Sequence, residues 1–157
     1  MEKYDSKKDT EAHIAKVGNY ISRAVLELVD RASLHDASKL VSPEKECFDE
    51  ITPLLKDSTY GSKEYKATLS RMRPAIEHHQ KNNRHHPEYF KNGINGMNLI
   101  DIVEMVCDWK AASERHADGD IYRSLEINKE RFGISDQLVG ILKNTVDYMF
   151  FDEGKKS

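Results

Sequence analysis

Seven consecutive residues bring three chemically active side chains into an otherwise apolar setting: Leu34, His35, Asp36, Ala37, Ser38, Lys39 and Leu40. An imidazole and a carboxylate side by side, such as His35 and Asp36, can bind a divalent metal ion. Burying an unpaired carboxylate is costly, so Asp36 needs either such an ion or a cation such as Lys39 or Arg31. The residue types alone leave both options open.

A second group of active side chains lies between residues 78 and 86 and holds four of the seven histidines in the chain. Its members are His78, His79, Arg84, His85 and His86. Pro87 follows directly and biases His86 away from helical geometry. Imidazoles titrate near neutral pH and bind metals, so the group fits metal binding or proton transfer. The alternative is the solvated, polar end of a helix.

A third group consists of carboxylates on the most apolar predicted helix, which runs from Leu99 to about His116. Asp101, Glu104 and Asp108 are three and four residues apart, which places them on one side of that helix. Apolar residues cover most of its circumference, as is typical of a buried helix. Buried carboxylates must pair with Arg or Lys or must hold a metal ion.

Helices have to position these three groups of side chains. The first helix is predicted to start at Asp9 or Thr10 and to break or bend at Asp30 and Arg31. It places His13 in its first turn, where a histidine serves either as a helix-end polar group or as a ligand. Its apolar positions recur at steps of three and four, which indicates an amphipathic helix: Ile14, Val17, Ile21, Val25 and Leu28.

Six more helices are predicted after that break. A short one covers residues 32–40, and its apolar residues predict that His35 and Asp36 are partly buried. Helix-start and helix-stop residues define the others: one from the Ser42-Pro43-Glu44 start to about Leu55 with a kink at Pro53, one from Ser62 to Asn82 or Asn83 with a bend at Pro74, one capped by Asn98, one from Asp118-Gly119-Asp120 to Phe132, and one capped by Ser135. A loop is predicted at 57–62 and another at 88–97.

The whole chain is predicted to form one all-α domain, a bundle of about six to seven helices over residues 1–157. One hundred and fifty-seven residues suit one domain with its own core, and 38% hydrophobic with 32% charged residues suits a highly charged helical protein. Residues 1–9 and 152–157 are predicted to be flexible tails.

Charge and cysteine usage exclude several classes of function. A net charge of -3 gives no basic footprint for duplex nucleic acid, and no apolar run is long enough to cross a membrane. The polar N-terminus is unlike a signal peptide. Cys47 and Cys107 form no CxxC pair, so we expect free thiols in a reducing compartment. The expected location is the cytoplasm of a bacterium or of a phage-infected host.

The order of these motifs resembles the H…HD…H…D signature of the HD superfamily of metal-dependent phosphohydrolases: His13, then His35-Asp36, then His78-His79, then Asp108. The segments around them are also similar, since 31–40 resembles the family's HD turn, 75–79 its paired histidines and 106–111 its last ligand helix. The sequence departs from the pattern at Gln80, where the two-metal branch has an acid, and at Ser38, where the family has glycine.

A second resemblance covers most of the chain and is to short, mostly uncharacterised proteins of phages and their bacterial hosts. The segments that carry it are Thr59-Tyr60-Gly61-Ser62, Asn83-Arg84-His85-His86-Pro87-Glu88 and Cys107-Asp108-Trp109-Lys110-Ala111-Ala112.

The HD resemblance implies an HD-like bundle around a divalent ion: Mn, Fe, Co, Ni, Mg or Zn. It makes His13, His35, Asp36 and Asp108 the metal ligands, with a possible second ion at His78 and His79. Water activated by the ion would attack a phosphate ester. Asp36, Lys39 and His79 would be catalytic, while Lys39, His78, Arg84, His85 and His86 would bind the phosphoryl group or protonate its leaving oxygen. Asp101 and Glu104 would orient ligands or replace one.

Three functions are compatible with these observations. The leading one is a metal-dependent phosphohydrolase of a nucleotide or another small phosphate ester, acting as a monomer or homodimer. The second is a catalytically silent HD-like module that binds a nucleotide signal or a host protein, as the departure at Gln80, after His79, suggests. The third is a di-iron oxygenase on the same bundle, which would need two irons.

Overall fold

The computed structural model describes residues 4–56, 63–115 and 119–151. It divides the chain into two compact units, Met1–His35 and Asp36–Ser157. The predictions for the loop at 57–62, the cap at Ser62, the helix end at His116, Asp118 and the tail at 152–157 fall outside the described residues. One domain over 1–157 stays a prediction.

The first unit is one long helix, α1 (Lys7–Leu34). The amphipathic helix expected from the apolar spacing is confirmed, although none of its 28 residues is buried and Ile14, Ile21 and Val25 are more than half exposed. The predicted break at Asp30 and Arg31 is wrong. Neither residue type is a strong helix breaker, and the Arg31 guanidinium binds Glu27 one turn earlier at 3.1 Å, which supports the helix across this point.

The second unit begins at Asp36 in the left-handed backbone region, with φ 57°. Besides glycine, Asp and Asn visit this region most readily. A single 3₁₀ turn, Ala37–Leu40, follows. The predicted short helix over 32–40 is therefore wrong, because the chain changes direction at Asp36. Leu34 and Leu40 are exposed rather than anchored, whereas the expected partial burial of Asp36 is confirmed.

Six helices make up the rest of the second unit: α2 (Glu44–Lys56), α3 (Lys63–Arg71), α4 (Arg73–Asn82), α5 (Leu99–Ser113), α6 (Ile121–Phe132) and α7 (Asp136–Val146). The predicted loop at 88–97 instead contains two short 3₁₀ helices, Pro87–Tyr89 and Gly93–Gly96, and α7 runs into a π-helical turn, Asp147–Phe151. Over the described ranges there are seven α-helices and no strand, which confirms the all-α prediction.

Side-chain caps fix the helix starts where the sequence predicts them. Asn98 accepts the amide N–H of Asp101 at 3.0 Å, and the Asp101 carboxylate accepts the Asn98 N–H at 3.0 Å, which forms a capping box. At α6 and α7 a single side-chain cap suffices, since Asp120 accepts the amide N–H of Tyr122 and Ser135 accepts that of Leu138. Gly133 ends α6 at φ 62°, a conformation that glycine adopts without strain.

Proline separates α3 from α4. The sequence predicted one helix with a bend at Pro74, and the structure has two helices with Met72 between them and Pro74 in the first turn of α4. Proline lacks an amide N–H, so it fits the first turn, where that group has no intrahelical acceptor. Pro53 lies inside α2 without ending it.

α5 connects the two hydrophobic clusters of this unit. Val106 packs with residues of α6 and α7, namely Ile121, Leu125, Leu142 and Val146. Met105, its neighbour on the next side of α5, packs with Ile94, Ile134 and Val139. The expectation that α5 is buried all round is only partly right, because Leu99 is exposed. α5 is thus held firmly enough to position side chains on its remaining face.

The two cysteines and the membrane prediction can be checked directly. Cys47 and Cys107 are free thiols, as expected, and both are partly buried. Burial raises the pKa of the Cys107 thiol, with the Glu104 carboxylate adding to the effect. Among the described helices none has the length and hydropathy to cross a membrane.

We expect Leu142→Ala in α7 to lower the free energy of unfolding by about 2–5 kcal/mol, because a fully buried leucine leaves a cavity. Its neighbour Ile141 is 53% exposed, so Ile141→Ala should change the free energy by no more than about 0.5 kcal/mol. Urea unfolding measures both. Equal losses in the two variants would contradict this placement of α7.

Candidate metal centre

A buried carboxylate at the start of α2 holds two neighbouring imidazoles of α4. Glu44 is fully buried. Its Oε1 lies 2.8 Å from His78 Nδ1, and its Oε2 lies 2.9 Å from His79 Nδ1. The Ser38 hydroxyl donates to Glu44 Oε2 at 2.9 Å and accepts from the Asn83 amide at 2.8 Å. A single carboxylate therefore fixes the orientation of both histidines.

The Glu44 carboxylate is ionised in this setting. Burial opposes its charge and would raise its pKa, but hydrogen bonds from His78, Ser38 and His79 outweigh that effect and hold the pKa below its ordinary value. An ionised carboxylate can only accept hydrogen bonds. The contacts with Glu44 favour a proton on Nδ1 of His78 and His79, and in that tautomer the lone pair is on Nε2.

A second carboxylate, on α5, holds His85 in the same way. The Nδ1 atom of buried His85 lies 3.0 Å from Oε1 of Glu104. The chain leaves helical geometry at Asn83 and passes through His86 in extended conformation, φ -96° and ψ 126°. The expected effect of Pro87 on His86 is thus confirmed. The rings of His85 and His86 lie 4.2 Å apart between centroids and are tilted by 46° to each other.

Three imidazoles come close together in the second unit, and the Asp36 carboxylate lies beside two of them. Ligand atoms of His79, His85 and His86 all lie within 4.8 Å of one another. Asp36 Oδ1 lies 3.1 Å from His79 Nε2 and 3.5 Å from His85 Nε2. With Nδ1 protonated on His79, the 3.1 Å contact joins two acceptor atoms, which repel each other unless a cation lies near both.

His86 completes this group as a neutral imidazole. Burial, with a smaller effect from the nearby His85 and His79, lowers the pKa of His86 to about 3, while Asp108 opposes the shift. The Nε2 atom of His79 has Asp36 Oδ1 as its polar neighbour, whereas the buried Nε2 of His86 meets no hydrogen-bond partner within the described part of the chain. Buried polar atoms are nearly always satisfied, so His86 Nε2 indicates a missing partner.

The donor set fits a divalent transition metal. Three imidazole nitrogens and one carboxylate suit ions such as Zn, Co, Ni, Fe and Mn better than Mg or Ca, which prefer oxygen. Metal–ligand distances of about 2.0–2.2 Å put neighbouring ligand atoms about 3.0–3.4 Å apart, close to the separations of Asp36 Oδ1 from the two nitrogens. Histidine ligands usually donate their other N–H to a carboxylate, as His79 does to Glu44 and His85 to Glu104.

Lys39 lies at the edge of this centre. Its Nζ atom is 2.6 Å from Asp36 Oδ2, so the amine and the candidate metal ligand Oδ1 share one carboxylate. Asp36, in its left-handed backbone conformation, directly precedes the 3₁₀ turn that carries Lys39, which keeps the two side chains close. The sequence left open whether Asp36 pairs with a lysine or with a metal ion. The geometry is compatible with both, because Lys39 uses Oδ2 and the candidate metal ligand is Oδ1.

The structure brings together some of the predicted site residues. His79, His85 and His86 bring ligand atoms together, and Asp36 lies beside His79 and His85, although His85 and His86 were predicted to contact substrate. Asp108 lies on α5, close enough to raise the pKa of His86. His13, on an exposed part of α1, and His35 both belong to the first unit. Their part in the metal site, like that of Asp108, stays a prediction.

The two remaining predicted substrate contacts also have partners. His78 is about two-fifths exposed beside Glu44, and Arg84 forms a bidentate pair with Asp101. The alternative of salt bridges for the α5 carboxylates is therefore confirmed for Asp101.

Sequence reasoning missed Glu44 as part of the site. An acid in the first turn of a helix commonly serves only to stabilise the helix dipole, so its position gave no sign of a role in the site.

An all-α protein with a candidate three-histidine, one-carboxylate metal centre is the class that this fold and site define. A family described as "Family of unknown function (DUF5662)" matches residues 2–148. The chain therefore belongs to this family. Comparison with curated proteins gave no match, and neither did comparison with solved structures.

We expect Glu44→Gln to destabilise the protein at pH 7 by about 1.5–3 kcal/mol, the usual worth of hydrogen bonds to a charged group. The Glu44 pKa is lowered in the folded state, so its stabilisation is complete above its ordinary value of 4.5 and is lost as pH falls further. The difference from wild type in urea unfolding should thus shrink below pH 4.5. Glu46→Gln, at an exposed position of the same first turn, is the control; a loss equal to that of Glu44→Gln would refute the assignment.

A second pH effect should come from His86. Its folded-state pKa of about 3 lies below the ordinary 6.5, so the unfolded chain takes up the proton first. Without metal, unfolding free energy should therefore fall as pH drops from 6.5 towards 3. His86→Asn should remove up to about 1.4 kcal/mol per pH unit from that slope. An unchanged slope would show that His86 ionises normally.

Proposed function

We propose that this chain is a divalent-metal-dependent phosphohydrolase that acts on a nucleotide or another small phosphate ester. The observation that carries the proposal is the convergence of Nε2 atoms from His79, His85 and His86 beside Asp36 Oδ1. Two of these imidazoles are fixed through Nδ1 by buried or half-buried carboxylates, as in histidine sites that bind metals.

Asp36, His79, His85 and His86 would hold the ion. When bound, a divalent ion supplies Lewis acidity towards water and towards a phosphoryl oxygen. The reaction itself would be hydrolysis: a water oxygen bonds to phosphorus, the bond from phosphorus to the leaving oxygen breaks, and that oxygen gains a proton. This class of reaction suits the donor set, because most of the catalytic demand in phosphoryl transfer is electrostatic.

Other residues of the site have roles that follow from their contacts. Lys39 neutralises part of the Asp36 charge and lies where it can also attract an anionic phosphate. His78 is the partly exposed imidazole of the site, and its Nδ1 proton is held by Glu44, so its Nε2 can exchange a proton with solvent or with a leaving oxygen. The resemblance to the HD superfamily supports the same reaction class; family membership adds nothing on activity.

A specific observation favours the second candidate, a metal-binding module without catalysis. Lys39 is already paired with Asp36, and Arg84 with Asp101. Both cations expected to bind the phosphoryl group are thus engaged by carboxylates, which weakens the attraction for substrate. Such a module would bind a nucleotide or a host protein without turnover.

Metal analysis tests the centre itself. Protein purified without a metal-chelating column and then dialysed should hold about one Mn, Fe, Co, Ni or Zn ion per chain. His85→Ala and His86→Ala should lose it, because each removes a converging nitrogen. His78→Ala is the matched control and should retain it. Loss in His78→Ala with retention in His86→Ala would place the ion elsewhere.

A phosphate-release assay separates the two candidate functions. Metal-loaded protein should release phosphate or nucleoside from at least one member of a panel of nucleotides and small phosphate esters, and Asp36→Ala should not. A nucleotide that raises the melting temperature without turnover would favour the silent module. No release from any substrate with any of the metals would contradict the phosphohydrolase.

A further inference from the structure

The carboxylates on one side of α5 are matched, in order, with the residues of the chain segment that carries His85 and His86. Asp101 binds Arg84, and Glu104, almost one turn later, binds His85. Asp108, one turn further, acts electrostatically on His86. Two successive residues of the turn after α4, Arg84 and His85, therefore pair with two carboxylates of one helix, and the next residue, His86, lies within electrostatic reach of a third.

The first of these contacts is the most rigid. Arg84 Nε donates to Asp101 Oδ1 at 3.0 Å, and Arg84 Nη2 donates to Asp101 Oδ2 at 2.9 Å. Asp101 is fully buried and is itself fixed by the capping box with Asn98. The guanidinium also lies over the Tyr89 ring at 5.3 Å and the Phe90 ring at 4.9 Å. Bidentate pairing and stacking use the planar shape of arginine, which lysine lacks.

We propose that Arg84 and Asp101 form a positioning pair that sets the approach of His85 and His86 to the metal. This inference rests on the proposed metal centre and identifies the two residues that position its ligands His85 and His86. Arg84 directly precedes the two ligands, so a shift of its backbone moves both Nε2 atoms at once. The Arg84–Asp101 pair joins this segment to α5. One turn beyond Asp101, Met105 and Val106 of α5 belong to the two hydrophobic clusters.

This role differs from the predicted substrate contact of Arg84. An arginine that binds phosphate must keep donors available, whereas Arg84 points two of its donors at a fully buried carboxylate. Replacing it should therefore alter metal binding first. A lysine keeps the charge but loses the fork and the stacking, so Arg84→Lys isolates geometry from charge.

Cobalt titration tests the proposal, because Co²⁺ reports both affinity and ligand geometry through its visible absorption. Arg84→Lys should bind Co²⁺ about 10–100-fold more weakly than wild type, the usual effect of disturbing a residue behind a metal ligand, and with an altered spectrum. Measurements are made well below the melting temperature of each metal-free protein, so lost stability alone does not weaken binding. Asp101→Asn should give the same spectral change.

The control is Arg131→Lys, which breaks an exposed pair of similar chemistry, Arg131 with Glu88 at 2.8 Å and over the Phe132 ring. Its Co²⁺ affinity should equal that of wild type. Should Arg84→Lys not fold, Tyr89→Leu removes one stacking face at a partly exposed position and should weaken binding about twofold to fivefold.

The outcomes separate the two proposals. Weak, altered binding in Arg84→Lys with normal binding in Arg131→Lys supports the positioning pair. Tight binding with a wild-type spectrum in both overturns the pair and leaves the metal centre standing. A wild-type protein that binds no Co²⁺, Zn²⁺ or Mn²⁺ overturns the centre and the pair together.

Discussion

The contact between a carboxylate and the Nδ1 proton of an imidazole, made twice, is the constraint on which this structure depends. Glu44 fixes His79 from α2, and Glu104 fixes His85 from α5. Each contact decides the tautomer of its ring and turns Nε2 inward. An imidazole that donates through Nδ1 offers a lone pair on its other side, which is the arrangement that metal-binding histidines use. The proposed partner of these lone pairs is a cation.

The fold supplies the distances that make this arrangement possible. The Asp36 carboxylate lies beside His79 of α4, and the turn that follows Asn83 places Arg84 and His85 against the carboxylates of α5. α5 in turn is anchored by two hydrophobic clusters. The polar site is thus held between packed helices, and the Arg84–Asp101 pair transmits that rigidity to the segment that carries His85 and His86.

Local rules were enough to predict most of the helices. The caps at Asn98, Asp120 and Ser135 and the stop at Gly133 lie where their side chains or backbone freedom require them. The break at Asp30 was predicted wrongly, since turn-favouring residues yield to a helix that continues favourably on both sides. The histidine group was recognised by composition, whereas its carboxylate partners were not, because Glu44 is 35 residues from His79 and only the tertiary fold joins them. The roles of His85 and Arg84 depended on such distant contacts in the same way.

Histidine tautomers give the most direct test of the central claim. A long-range ¹H–¹⁵N correlation spectrum of the metal-free protein near neutral pH should show His79 and His85 as Nδ1–H tautomers. Added Zn²⁺ should then shift the Nε2 resonances of His79, His85 and His86 and leave that of His78 in place. Nε2–H tautomers at His79 or His85, or three Nε2 resonances that do not respond to Zn²⁺, would contradict the account.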